Sequence, residues 1–133
     1  MINLVDLFAT FQELVSGVVL PPEEAAADSY SFYDELRGQR KVESLRPHMI
    51  VNETVGIHAI RKGPWKFIEG IPAAPLSDKR KQDLIDLLKP QLYNLAEDLA
   101  ESKNLIDRYP EIQKELQETL NQIRDQGSER LIR

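Results

Sequence analysis

The sequence predicts a small α+β fold, a four-stranded antiparallel sheet with a C-terminal helix packed on one face and further helical segments ahead of it. Three observations carry that expectation. Residues 48–69 run as short extended segments of alternating character with Gly63-Pro64 between two of them, the signature of strands joined by a tight turn. Ile112, Leu116, Leu120 and Ile123 recur at helical spacing near the C-terminus. Leu4, Leu7, Phe8, Phe11, Leu14 and Val15 do the same near the start, on a wider stripe.

In chain order, the opening run reads as an amphipathic helix in which Asn3 or Asp6 can accept backbone hydrogen bonds at the start and Gly17 can end the run. Pro21-Pro22 breaks the pattern. Asp28 or Ser29 can then cap a short helix that runs through Leu36 and stops at Gly38. Strands are expected over 48–53, 57–62 and 65–69, with Ile57 and Ala59 sharing one face and Trp65 and Phe67 forming a core face. Ser77 can cap a helix bearing Leu84, Ile85, Leu87 and Leu88, ended by Lys89-Pro90, and a fourth strand follows over 91–95. Pro110 opens the last helix, since its missing N–H costs nothing at the first helical position, and Gly127 lies beyond the last apolar residue. That helix carries a narrow stripe, enough to cover one sheet face. The opposite face and the opening helix are therefore expected to need another surface.

Composition narrows the function classes. With 133 residues and 41% hydrophobic content, one compact core is the ceiling. A net charge of -5 argues against nucleic acid as a partner, because non-specific affinity for phosphates comes from clustered Lys and Arg. The absence of cysteine removes disulfides, thiolate metal sites and a cysteine nucleophile, and leaves the redox compartment open. Asp6 and Glu13, without a basic segment ahead of them, speak against a signal peptide or membrane span in the first twenty residues.

Four stretches resemble the arylsulfatase-type sulfatases, in that family's order. Asp6-Leu7-Phe8-Ala9-Thr10-Phe11 is similar to an Asp-Leu-Phe-Pro-Thr helix, with Ala9 in place of proline. Asp28, Ser31, Phe32, Leu36 and Gly38 resemble an Asp-Gly-x-Ser-Leu segment, with Ser29 in place of glycine. Ala59-Ile60-Arg61-Lys62-Gly63-Pro64-Trp65-Lys66-Phe67-Ile68 is similar to the hairpin Ala-Ile-Arg-x-Gly-x-Trp-Lys-Leu-Ile. Leu92-Tyr93-Asn94-Leu95 with Asp98, Glu101, Asn104 and Leu105 resembles the turn that follows, with Asn94 and Leu99 replacing Asp and Pro.

The resemblance implies that residues 1–45 are connector helices from the end of a missing α/β catalytic domain and residues 46–133 the C-terminal subdomain, a four-stranded sheet with a helix. It also implies a formylglycine nucleophile, made from Cys or Ser in Cys/Ser-x-Pro-x-Arg, beside calcium. Neither cofactor is expected in this chain. No residue begins that motif, Ser44-Leu45-Arg46-Pro47 having its residue kinds in the wrong order, and Glu97, Asp98 and Glu101 read as turn and helix-entry residues rather than the converging oxygens calcium needs. The family is typically periplasmic, extracellular or lysosomal.

No catalytic or metal-binding residue is therefore assigned. The substrate-rim candidates are His58, His48 and Arg61; Lys66 invites the same sulfate-binding reading as Arg61. Each has a plainer alternative. His58 reads more readily as a solvated or hydrogen-bonded structural histidine, and Arg61 and Lys66 as the solvent-facing half of an alternating strand. Asn94 and Asp98 are expected to fix a turn by side-chain to backbone hydrogen bonds. The expected role is that of a sulfatase C-terminal part, not catalytic alone, partnered by the missing catalytic domain or by itself through an exposed apolar face, with a sulfate ester as substrate only in the full enzyme. The rival reading is a non-enzymatic interaction module derived from a sulfatase.

Overall fold

A computed structural model of the chain describes residues 1–21, 27–39, 46–52, 57–71, 79 and 89–127. The fold is α+β. Among the described residues the elements are α1 (Asp6–Ser16), α2 (Tyr33–Leu36), β1 (Met49–Asn52), β2 (His58–Lys62), β3 (Trp65–Ile68), β4 (Gln91–Asn94) and α3 (Pro110–Gln126). The helix expected after Ser77 falls outside them, apart from Lys79, which is helical. The chain divides into two units, Met1–Met49 with Gln122–Arg133, and Ile50–Asn121.

The four strands form one sheet in the order β1-β2-β3-β4. Lys62 pairs with Trp65 across a two-residue turn, and Ile60, Phe67 and Leu92 lie directly opposite one another on three successive strands. Such a turn needs a positive φ at its first residue, and Gly63 supplies 58°. Because directly opposed residues share a face, Ile60, Phe67 and Leu92 form one apolar row, and all three are fully buried. The Lys62 Nζ to Glu115 Oε1 ion pair at 2.6 Å and the Trp65–Tyr109 ring contact at 5.0 Å set the start of α3 over that row. Leu116 and Leu120, on the stripe legible in the sequence, are buried.

Two expectations about this unit change. Trp65 is only half-buried, and Phe67 two residues on is the core aromatic. The opposite sheet face is also less open than one helix would leave it: Ile57, Ala59 and Tyr93 on it are buried, while Arg61 and Lys66 stay partly exposed.

In the first unit, α1 ends where expected. Gly17 adopts φ 73° and its N–H donates to the Glu13 carbonyl at 2.8 Å, a left-handed stop that costs a non-glycine residue strain. The second helix is shorter than expected, because Asp28 and Ser29 do not cap it. The Ser29 hydroxyl instead donates to the Val5 carbonyl at 2.7 Å and accepts the Ala9 N–H at 2.9 Å, and α2 starts only at Tyr33.

Candidate functional site

α1 is amphipathic in the inverted sense. Residues 4, 8, 11 and 15 lie along one stripe of a 3.6-residue helix, and Leu4, Phe8, Phe11 and Val15 are 83%, 57%, 56% and 86% exposed. The buried side is made of Asp6, Ala9 and Thr10. Its contacts are polar. The Thr10 hydroxyl donates to the Asp6 carbonyl at 2.7 Å and accepts the Phe32 N–H at 3.1 Å, while the Ser31 hydroxyl donates to the Glu13 carboxylate.

At the centre of this contact Asp6 and Arg46 form a buried ion pair, their side chains 2% and 0% exposed. Arg46 Nη2 donates to Asp6 Oδ1 at 2.7 Å and Nε to Oδ2 at 3.0 Å, the bidentate fork that suits guanidinium to carboxylate. The same guanidinium donates to the Asp28 carbonyl and lies 4.8 Å over the Tyr30 ring. Asp6 also accepts the N–H groups of Asn3 at 2.7 Å and Tyr30 at 2.9 Å. Burial alone would raise the Asp6 carboxyl, but the Arg46 hydrogen bond and these N–H donors outweigh it and hold it below its ordinary 3.8. In the sequence Asp6 reads as a helix-start residue and Arg46 as part of a misordered motif. No local signal joins two residues forty positions apart.

Of the three rim candidates, His58 and Arg61 both lie on β2. His58 Nδ1 is 2.7 Å from Glu69 Oε1, which also accepts the His58 N–H at 3.1 Å. That carboxylate partner, one residue past the end of β3, is not visible in the sequence. His48 is buried. Arg61 is partly exposed, and its Nε donates to the Gly63 carbonyl at 3.3 Å. Lys66 Nζ is held by both Glu101 oxygens at 2.7 and 2.8 Å, with Glu101 itself at a left-handed φ of 55°.

After β4 the loop is fixed as expected by side chains bonding to backbone. Asn94 Oδ1 accepts the Ala96 N–H, and Asp98 accepts the Ser102 hydroxyl at 2.9 Å and the Lys103 N–H at 2.8 Å. Asn104 Oδ1 takes the N–H groups of Leu92 and Ile106. With both Asp98 oxygens so used and Glu101 taken up by Lys66, these acids do not converge on a cation. Among the described residues no group of three or more His, Asp or Glu could hold a metal ion. Those described residues do not fit calcium, and the sequence has no cysteine from which a formylglycine could be made.

No protein-family profile matches the chain. A curated relative, the N-acetylgalactosamine-6-O-sulfatase of Bacteroides thetaiotaomicron, is 32% identical over 120 residues, covering 90% of this chain and 23% of the relative. A solved sulfatase structure from work on the metabolism of multiple glycosaminoglycans by Bacteroides thetaiotaomicron superposes with a TM-score of 0.68 at 32% identity, over 89% of this chain and 24% of that one. This chain belongs to the sulfatase family. A second Bacteroides thetaiotaomicron structure described as a sulfatase shares the fold at 21% identity, with a TM-score of 0.60 over 89% of the chain. The segment thus spans about a quarter of the length of the sulfatases it matches. Its four-stranded sheet and C-terminal helix are the expected subdomain architecture.

Proposed function

We infer that the segment serves a sulfuric ester hydrolase as a non-catalytic part, seated on an α/β catalytic domain through the outward stripe of α1. The observation that carries this is the inversion of α1. A helix that buries Asp6 and Thr10 while exposing Leu4, Phe8, Phe11 and Val15 is explained by a second apolar surface over the stripe, since soluble monomers rarely leave a contiguous patch of this kind uncovered. The ion pair with Arg46 holds the helix by its polar side, leaving the stripe outward.

In this reading residues 1–45 belong structurally with the catalytic domain and residues 46–133 form the appended subdomain. Formylglycine and calcium belong to the catalytic domain. The substrate class is a sulfated amino sugar, by analogy with the relative named for N-acetylgalactosamine 6-O-sulfate. His58 is the best-prepared of the rim candidates, because a carboxylate that takes Nδ1–H leaves Nε2 as the free ring nitrogen.

The test is to assay the purified chain with calcium against a chromogenic aryl sulfate, alone and after mixing with the sulfatase domain encoded in the same locus. Turnover only on mixing, lost when Phe8 and Phe11 are both changed to Asp, is expected. Turnover by the chain alone, activity indifferent to those substitutions, or a locus encoding no such domain would overturn the reading; the last would favour a stand-alone interaction module.

A further inference from the structure

We propose that the loop after β4 holds a binding site for a single uncharged sugar ring, the choice of an amino sugar as probe resting on the substrate class proposed above. A cavity of about 290 Å³ opens there, lined by Asn94, Glu97, Lys103, Leu105, Arg108 and Tyr109 together with Asp98 and Ser102. That is the low end of ligand-site volumes, which run from about 300 Å³, so it takes one ring rather than a chain.

The polar groups divide into two sets. Asp98 and Asn104 spend their oxygens on N–H and O–H groups of the loop and of β4, which makes the wall rigid. Glu97, the Lys103 ammonium, the Arg108 guanidinium and the Asn94 Nδ2 have no hydrogen-bond or ion-pair partner among the described residues. They offer donors and an acceptor side by side. Glu97 and Asp98 balance Lys103 and Arg108 in charge, so the wall favours neither an anion nor a cation, and hydroxyl groups, which donate and accept, satisfy both kinds of group. Leu105 and the Tyr109 ring supply an apolar side for the ring's C–H groups. Arg108 lies 5.5 Å over that Tyr109 ring, which keeps the guanidinium against the aromatic wall.

Trp65, the only tryptophan in the chain, touches Tyr109 at 5.0 Å and reports on the site by its fluorescence. Titration of the full chain with N-acetylgalactosamine is expected to give a saturable Trp65 signal in the millimolar range, with backbone amide shifts confined to residues 94–109. Glu97→Gln and Arg108→Gln, both at exposed positions, are each expected to weaken binding about tenfold, the loss of one hydrogen bond to a charged group, with unchanged circular dichroism. Inorganic sulfate is the control. Absence of a saturable signal, affinity unchanged in both variants, or a response to sulfate without one to the sugar would overturn the proposal.

Discussion

Asp6 decides how the first unit is assembled. A buried carboxylate is costly to desolvate, and it is tolerated here because one guanidinium and two N–H groups face it. Asp6→Asn leaves Arg46 buried without its counter-charge and is expected to destabilise the fold by about 3 to 5 kcal/mol, measured by urea denaturation at pH 7. The pH dependence follows from the sign of the shift. Since the folded carboxyl lies below its ordinary 3.8, its stabilisation is present above that pH and is lost as pH falls through the depressed value. The gap between wild type and Asp6→Asn should therefore narrow below pH 3.8. A gap constant down to pH 2 would mean the pair contributes nothing through ionisation.

Among the elements, the hairpin of β2 and β3 was the most legible and yields the sharpest contrasts. Turn chemistry at Gly63-Pro64 and alternation on either side fixed both strands to within a residue. Gly63→Ala has room for its Cβ, with nothing within 4 Å, so its cost is conformational, about 1 to 2 kcal/mol for a left-handed residue. Phe67→Ala is expected to cost about 3 to 5 kcal/mol, as for a fully buried aromatic. Trp65→Ala should cost less, about 1 to 2 kcal/mol, because its ring is half-exposed against Tyr109. Denaturation followed by circular dichroism checks all three, and equal losses at Trp65 and Phe67 would contradict the burial order. α3 was equally plain, its stripe and Gly127 being local signals. α2 was not, because Ser29 can cap its own segment or bridge to α1, and that choice depends on a partner helix.

For the whole molecule, the consequence of the inverted α1 is association. The isolated chain is expected to bind a hydrophobic dye or dimerise, and replacing Phe8 and Phe11 together by Ser should abolish both, as followed by sedimentation velocity and dye fluorescence. A wild-type chain that stays monomeric and binds no dye would show that the stripe is tolerated in water. Kinship was legible in four separated motifs and agrees with the 32% identity to a sulfatase. The site was legible only in part. His58 and Arg61 could be named from their strand, but the Glu69 carboxylate beside His58 and the turn carbonyl beside Arg61 come from pairing.

The sequence by itself determined the class of fold, the strand and helix positions where periodicity and turn residues are strong, and that these residues contain no Cys/Ser-x-Pro-x-Arg motif, because these depend on residue type and near neighbours. Tertiary structure alone decided that α1 turns its polar side inward, that Asp6 meets Arg46, and that unspent polar groups gather in one cavity. Those outcomes depend on contacts between residues distant in the chain, and a helical periodicity states which residues share a face without stating which face meets the protein.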